Sequence, residues 1–260
     1  MPNSLLSVRR EGGVARVTLS RPDVRNAFNA ELIAELRSSF ESLGADDGVV
    51  AIVLAGEGKV FCGGADINWM RASLDLTREQ NVADAQAMSD MFRTIDRCPK
   101  PTIARVHGAA LGGGAGLAAV CDVVVASDET VFGFTETKLG IIPAVISPFV
   151  LAKIGASNGR ALFLTGERFD ARRALAIGLA HEVVAASALD ASVDRVLAEV
   201  RTAGPGAAAA AKRLVADVRA LGYDETRDHT AHAIADRRTT AEGQEGLRAF
   251  LERRSAEWHA

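Results

Sequence analysis

Arg105-Val-His-Gly-Ala-Ala-Leu-Gly-Gly-Gly-Ala-Gly-Leu-Ala-Ala-Val-Cys-Asp122 is the most informative stretch of the sequence, because it holds five glycines within nine residues. Apolar runs lie on both sides of these glycines, as expected where a strand leads into a helix. Such a connection needs only about one or two glycines, so the others indicate that the backbone approaches another group closely. We therefore expect a ligand to lie against this turn.

Alternating strand and helix signals surround this stretch and predict an α/β fold. Glu11-Gly12-Gly13 predicts a tight turn between two strands, Leu5–Arg10 and Val14–Leu19. Asn29 is expected to cap a helix whose apolar residues recur at helical spacing. The other predicted elements here are strands at Val49–Leu54, Thr102–Val106 and Asp122–Ala126 and helices at Thr77–Arg97 and Gly113–Val120. This order predicts a mostly parallel sheet that binds ligands at the carboxyl ends of its strands.

The carboxyl third of the sequence is predicted to be helical, with only Glu182–Ala185 extended. The predicted helices are Ile146–Ile154, Asn158–Thr165, Ala171–Gly178, Ser187–Ala203, Pro205–Leu221, Asp224–Arg238 and Glu242–Arg254. Neither an internal repeat nor a long linker divides the chain.

Composition narrows the classes of function. The chain has 260 residues, 48% of them hydrophobic, and a formal net charge of -3. It therefore lacks the excess of positive charge that non-specific binding of nucleic acid requires. Its three cysteines are too scattered for a disulfide framework or a metal site. The sequence starts without a signal peptide, and no window has the apolar length that spans a bilayer. We expect a protein of the cytoplasm, or of an equivalent reducing compartment, that does not bind membranes.

Three familiar glycine-rich motifs do not fit the run. A P-loop needs Gly-Lys-Ser/Thr, and no lysine follows the glycines. A dinucleotide fingerprint needs a glycine where Leu117 stands, and a hydrolase elbow needs a serine that the run lacks. The remaining interpretation is a pocket of backbone N–H groups at a helix N-terminus, where free amides and the helix dipole favour a developing oxyanion.

A second glycine-lined turn is expected at the same edge of the sheet. Val60-Phe-Cys-Gly-Gly-Ala-Asp-Ile67 follows the predicted strand Val49–Leu54 after a short loop. Its glycines again permit a close approach of the backbone. The two turns together could direct two N–H groups at one carbonyl oxygen.

Eight short motifs follow one another along the chain: Asn26–Phe28, Phe61–Ile67, Lys100–Ala104, Gly108–Gly114, Cys121-Asp122, Phe132–Pro143, Leu164–Phe169 and Glu245–Phe250. In this order and at these separations, they resemble the enoyl-CoA hydratase/isomerase (crotonase) family over nearly the whole chain. Within them, Thr135–Pro143 followed by Ala144–Pro148 resembles hydratases of the methylglutaconyl-CoA or isohexenylglutaconyl-CoA type.

The resemblance implies a spiral core of ββα turns at residues 1–200, with the acyl-CoA site, and a helical trimerisation region at residues 201–260. It implies a homotrimer or a dimer of trimers that acts on acyl-CoA thioesters. It implies no metal and no cofactor, since CoA is part of the substrate.

The family's functional positions can be carried over residue by residue. Its two oxyanion-hole amides fall on Ala65 and Gly113. The residues expected along CoA are Arg25, Gly63, Gly64, Ala65, Asp66, Ile67, Gly112 and Arg253. Arg25 is a looser match to a basic residue near the CoA phosphates, and Arg253 or Arg254 stands where the last helix of the family meets those phosphates.

The catalytic pair of the family is halved in this chain. Family hydratases carry two glutamates, and here the first position is Gly116, so Glu136 alone remains. Ala144–Pro148 also replaces a glycine-rich segment. We expect the volume vacated at Gly116 to hold water or a branch of the substrate, and Glu136 to act first as base and then as acid.

Three functions follow from this pattern. The first is hydration of a 2-enoyl-CoA, or the reverse dehydration, with branched or glutaconyl-type acyl groups among the candidate substrates. The second is isomerisation of a 3-enoyl-CoA by Glu136 alone, and the third is a catalytically impaired acyl-CoA binder. Cys62 and His107 are interpreted as structural, although each lies beside a glycine turn.

Overall fold

The computed structural model describes residues 4–259, which form an α/β fold with two sheets. The strands are β1 (Leu6–Glu11), β2 (Val14–Leu19), β3 (Ala51–Gly56), β4 (Thr102–Val106), β5 (Ala109–Leu111), β6 (Val123–Ser127), β7 (Val131–Gly133), β8 (Arg168–Asp170) and β9 (Glu182–Val184). The α-helices are α1 (Ala30–Ala45), α2 (Ile67–Ala72), α3 (Arg78–Asp96), α4 (Gly113–Val120), α5 (Ser147–Thr165), α6 (Ala171–Ala176), α7 (Leu189–Thr202), α8 (Pro205–Ala220), α9 (Tyr223–Thr239) and α10 (Ala241–Glu252).

The larger sheet has six strands in the order β1-β2-β3-β4-β6-β9. The β1–β2 hairpin is antiparallel, and each later neighbour pairs in parallel, with Val17 beside Leu54 and Leu54 beside Ala104. The predicted hairpin and the mostly parallel sheet are therefore confirmed. Because the strands are parallel, the segments that follow β3 and β4 leave the sheet at the same edge.

The smaller sheet, β5-β7-β8, was not predicted. Its strands have three residues each, too few for an alternation of apolar and polar residues to be recognised. β8 also corrects the expectation that only Glu182–Ala185 is extended in the carboxyl third. Leu111 of β5 pairs with Gly133 of β7, and this register brings the end of β7 to the glycine run.

Helix termini follow the expected capping chemistry. The Asn29 side chain accepts from the Leu32 N–H at 2.9 Å at the start of α1, and Thr77 forms a capping box with Gln80 at the start of α3. Two predicted helices join into α5 across Gly155, whose φ of 72° and ψ of 164° interrupt the helical backbone. The predicted bounds of α4 and β4 are confirmed.

The core lies between the larger sheet and its helices. Leu32, Leu36 and Phe40 of α1 are buried in one cluster with Phe92 of α3 and with the inward residues of the strands. Every residue of α4 after Gly113 is buried. The helix that begins at the glycine run is therefore fixed within this core.

The chain divides into two compact units. One holds the residues up to Cys98 together with Thr102–Val193, and it contains both sheets. The other holds Pro99–Pro101 and the residues from Asp194 onward, which form most of α7 and all of α8, α9 and α10. The trimerisation role of residues 201–260 stays a prediction. Among the described helices, none combines the length and the apolar character needed to cross a bilayer.

Candidate active site

The two glycine turns lie side by side. Cys62 forms a parallel bridge with Ala110, and the Leu111 N–H donates to the Cys62 carbonyl at 3.1 Å. A β-carbon built on Gly64 would lie 2.9 Å from the Leu111 carbonyl oxygen, so the two backbones are in direct contact there. The expectation that both turns meet at one edge of the sheet is confirmed.

The predicted oxyanion amides lie at the end of this contact. Counting three residues forward on each segment from the Cys62–Ala110 bridge leads to Ala65 and Gly113. Within residues 4–259, neither of these N–H groups donates a hydrogen bond to the protein. Gly113 is the first residue of α4, where free amides and the helix dipole favour negative charge. The arrangement can hold a carbonyl oxygen that acquires charge.

Glu136 reaches the same place from the smaller sheet. It opens a 3-10 helix, Glu136–Leu139, three residues after β7, and the Gly112 N–H donates to the Gly133 carbonyl at 2.8 Å. The carboxylate lies against Gly112, since a β-carbon built there would be 3.2 Å from Oε1. Oε2 is buried without a hydrogen-bond partner among the described residues.

The environment of Glu136 changes its acidity. Burial raises the pKa of this carboxyl above its ordinary value, and the bond from its own backbone N–H opposes the rise. A buried carboxyl with an unpartnered oxygen and a raised pKa suits a group that exchanges protons with a ligand.

Gly116 does not border an open volume, and the expectation of a water or a substrate branch there is wrong. A β-carbon at this position would lie 2.2 Å from Cγ2 of Ile146 and 3.4 Å from Cζ of Phe92. Ile146 is buried just before α5, within the segment whose unusual sequence had been noted. Its side chain fills the space that a larger residue at 116 would need.

Two further side chains form the wall beside Gly113. A β-carbon there would meet Cε of Met88 at 2.9 Å and Cε2 of Phe28 at 3.1 Å. Met88 is half-buried on α3, and Phe28 packs edge to face on Phe92. Sequence reasoning missed Met88, which is about 25 residues from Gly113 and carries no motif of its own. It singled out the segment that contains Ile146, but not the contact of Ile146 with Gly116.

Asp66 holds the first turn in place. It caps α2 by accepting from the Asn68 N–H at 2.8 Å, and it pairs with the Arg21 guanidinium at 2.9 Å. Burial alone would raise the pKa of this carboxyl, but the bonds from Asn68 and Arg21 lower it below its ordinary value. Its side chain is therefore bound to other protein groups. The prediction that Asp66 lies along CoA then applies to its backbone only.

The other residues predicted along CoA lie in two places. The Gly63 N–H donates to the Arg25 carbonyl at 2.8 Å, so the exposed Arg25 side chain starts beside the first turn. Ile67 follows that turn and is 73% exposed, which leaves an apolar side chain for a ligand to cover. Arg253 is exposed at the end of α10, within the other unit.

The structural interpretation of Cys62 and His107 is confirmed. Cys62 is fully buried, burial raises the pKa of its thiol to about 12, and its Sγ donates to the Asn26 carbonyl at 3.1 Å. A thiol of this kind is a poor nucleophile. The His107 ring is bonded to protein groups through both nitrogens.

Residues 9–260 match the sequence model of a family described as enoyl-CoA hydratase/isomerase. An enoyl-CoA hydratase from Alternaria alternata is 35% identical over 94% of this chain and 80% of its own. A trans-2-decenoyl-[acyl-carrier-protein] isomerase from Streptococcus mutans is 30% identical over 94% of each chain. The crystal structure of an enoyl-CoA hydratase from Shewanella pealeana has a TM-score of 0.94 and 39% identity, over 98% of this chain and 96% of that one.

These similarities confirm the crotonase-like fold and the predicted resemblance at the level of the family. The glutaconyl-type sub-pattern stays a prediction.

Proposed function

Because the chain belongs to the enoyl-CoA hydratase/isomerase family, we propose that it hydrates a 2-enoyl-CoA thioester to the 3-hydroxyacyl-CoA, or catalyses the reverse dehydration. One observation carries the proposal: the Glu136 carboxylate, whose Oε2 has no hydrogen-bond partner among the described residues, lies against Gly112, directly before the amide of Gly113. A proton-transfer group and an oxyanion site therefore flank one position.

The amides of Ala65 and Gly113 hold the thioester oxygen. Adding water to the β-carbon moves charge through the double bond onto this oxygen, which becomes an enolate oxyanion. Two N–H donors with no partner among residues 4–259 stabilise that charge without reorganisation. The dipole of α4 adds to their effect at Gly113.

Glu136 carries out both proton transfers. As a base it takes a proton from water while the water oxygen bonds to the β-carbon, and as an acid it returns that proton to the α-carbon of the enolate. Atoms balance, because the carboxylate ends in its initial state. The raised pKa of the carboxyl favours the first step, since a carboxylate whose conjugate acid has a higher pKa is a stronger base toward water.

The acyl group is proposed to be carboxylated, of the glutaconyl type. With Gly116 and Ile146 in contact, no second negative charge stands at that position beside Glu136. An anionic acyl tail, such as a glutaconyl carboxylate, is therefore repelled less than it would be by two glutamates. The apolar side chains of Met88 and Ile146 suit the hydrocarbon part.

Isomerisation of a 3-enoyl-CoA to the 2-enoyl-CoA is the second candidate, and the contact of Ile146 with Gly116 favours it. Shifting a double bond needs one base that removes a proton from the α-carbon and returns it to the γ-carbon. No water takes part, so an apolar wall and a single carboxylate suffice. One similar protein, from Streptococcus mutans, is named as an isomerase.

The CoA moiety is proposed to lie along the first turn, with Arg25 near its phosphates and the backbone of residues 63–67 beside its pantetheine. Arg253 is proposed to meet the phosphates from the last helix. No metal and no separate cofactor enter the mechanism. The buried thiols of Cys62, Cys98 and Cys121 suit a reducing compartment such as the cytoplasm.

A homotrimer or a dimer of trimers is proposed for the assembly. The carboxyl-terminal unit exposes large apolar side chains, among them Tyr223 at 90%, Phe250 at 82% and Leu251 at 78%. Large apolar side chains that are this exposed are expected to be covered by another copy of the chain. Light scattering should give three or six times the chain mass of 27.3 kDa, and a monomer at micromolar concentration would overturn this assembly.

The function is tested by three assays on the wild type and two variants. Loss of crotonyl-CoA absorbance reports hydration, conversion of 3-hexenoyl-CoA reports isomerisation, and calorimetry with the same thioesters reports binding. Glu136→Gln should lower turnover about 10²- to 10⁴-fold with binding nearly intact. Glu129→Gln, on the exposed turn before β7, is the matched control and should leave turnover unchanged. Binding without either reaction in the wild type would instead support an acyl-CoA binder.

A further inference from the structure

His107 has hydrogen-bond partners at both ring nitrogens. Its Nδ1 lies 3.3 Å from Nη1 of Arg105, and its Nε2 lies 2.9 Å from the carbonyl oxygen of Gly58. A guanidinium only donates and a carbonyl only accepts, so Nδ1 accepts and Nε2 carries the proton. Both neighbours therefore select one neutral tautomer of the ring.

The ring joins the two segments that continue into the glycine turns. Gly58 precedes the first turn, and the Phe61 N–H donates to the His107 carbonyl at 2.9 Å. A β-carbon on Gly108 would lie 2.0 Å from the Lys59 carbonyl oxygen, so the backbones touch here too. From this junction each segment runs a few residues to its oxyanion amide.

Arg105 is itself held from the start of α7. Its Nε and Nη2 donate to the two carboxylate oxygens of Asp190 at 2.5 and 3.1 Å. Hydrogen bonds from the guanidinium hold the pKa of Asp190 below its ordinary value. The three side chains border an open groove of about 510 Å³ that Arg16 and Thr18 also line. The space left when the half-buried ring is replaced is therefore open to solvent and is not a sealed cavity.

We propose that His107 is a positioning residue, which fixes the spacing between the turns that carry Ala65 and Gly113. The Asp190–Arg105–His107–Gly58 chain holds the two segments together at the end remote from the amides. Without the ring, Gly58 loses its side-chain donor and the first turn moves relative to the second. The inference rests on the proposed oxyanion role of the two amides.

Three variants separate positioning from general stability. His107→Leu removes both ring bonds, whereas His107→Gln places a donor and an acceptor on a side chain that can reach Gly58. His181→Leu is the matched control, since the His181 ring accepts from the Val124 N–H at 2.9 Å at another edge of the same sheet. Should His107→Leu fail to fold, Arg105→Met, which removes the partner of Nδ1, takes its place.

Amide hydrogen exchange gives a readout that needs no turnover. In His107→Leu, exchange should quicken in residues 58–66 and 107–114, with His107→Gln close to the wild type and His181→Leu unchanged in both segments. The kcat of His107→Leu should fall about tenfold or more, with KM within about twofold. If the amides of both segments exchange in His107→Leu at the same rate as in the wild type, the inference is overturned. A wild-type enzyme without turnover, but with the expected exchange pattern, would overturn the proposed function alone.

Discussion

The carboxylate of Glu136 lies against the α-carbon of Gly112, so that a β-carbon there would be 3.2 Å from Oε1 and 3.6 Å from Cδ. Gly112 also has a φ of 52° and a ψ of -122°, a backbone that side chains other than hydrogen rarely permit. Two requirements for glycine therefore meet at one residue, one conformational and one set by the carboxylate of Glu136.

Gly112→Ala is expected to lower kcat by about tenfold or more, because the added methyl group pushes the carboxylate away from the amide of Gly113. The Tm of Gly112→Ala should fall as well, because the substitution strains the backbone. Gly155→Ala is the matched control, since Gly155 also has a positive φ but nothing within 4 Å of an added β-carbon. Its strain should lower Tm with kcat unchanged, and equal kcat losses in both variants would contradict a role for the contact with Glu136.

The raised pKa of Glu136 predicts a dependence of stability on pH. A carboxyl whose pKa is higher in the folded than in the unfolded protein contributes stability below its unfolded pKa, and that contribution is lost as pH rises through the folded value. At about pH 7 the buried charge therefore costs stability. Glu136→Gln should raise the free energy of unfolding at about pH 7, with a smaller gain near pH 4.

Urea unfolding of the wild type and Glu136→Gln across this pH range is the measurement. Glu129→Gln, whose carboxylate is exposed, should show no such gain. A Glu136→Gln protein that is less stable than the wild type at neutral pH would contradict a buried carboxylate whose Oε2 lacks a partner among the described residues.

Replacements at Gly113 can separate its N–H from its lack of a side chain. Gly113→Ala keeps the N–H and places a β-carbon 2.9 Å from Cε of Met88, the flexible end of that side chain. Gly113→Pro places a β-carbon at the same position within its ring and removes the N–H, at the first helical position where proline is tolerated. Relative to Ala, Pro should lose about 3 kcal/mol of transition-state stabilisation.

The ratio of kcat/KM between the two Gly113 variants gives this difference, provided that both have native circular dichroism. Equal values for Ala and Pro would show that the amide of Gly113 does not hold the oxyanion.

Gly116 and Ile146 should be coupled in stability. Gly116→Ala places a β-carbon 2.2 Å from Cγ2 of Ile146 and should cost about 1 to 3 kcal/mol of unfolding free energy by overpacking. In an Ile146→Ala background the same change should cost less, because the contact with Cγ2 at 2.2 Å is gone and only the contact with Cβ at 2.7 Å remains. A double-mutant cycle in urea measures the coupling, and additive costs would mean that the two side chains do not share this space.

Regular, long or glycine-dependent features could be predicted from the sequence. The apolar run at Thr102–Val106, bounded by proline and glycine, matches β4, and α4 begins at the predicted glycine. Glycine turns are recognisable because no other residue permits their backbone. Contacts between distant segments could not be predicted: the pattern around Gly116 suggested an empty volume, and only the packing of Ile146, 30 residues later, fills it.

The packing of α4 limits how the chain can acquire new substrates. A β-carbon on Gly114 would lie 2.3 Å from the Cys62 carbonyl oxygen. The helix therefore packs on main chain, which cannot move aside by a change of rotamer as a side chain can. Natural variation in acyl preference is therefore expected at side chains that approach the glycines from elsewhere, as Met88 and Ile146 do. Gly112, Gly113 and Gly114 would stay constant across such variants while their neighbours diverge.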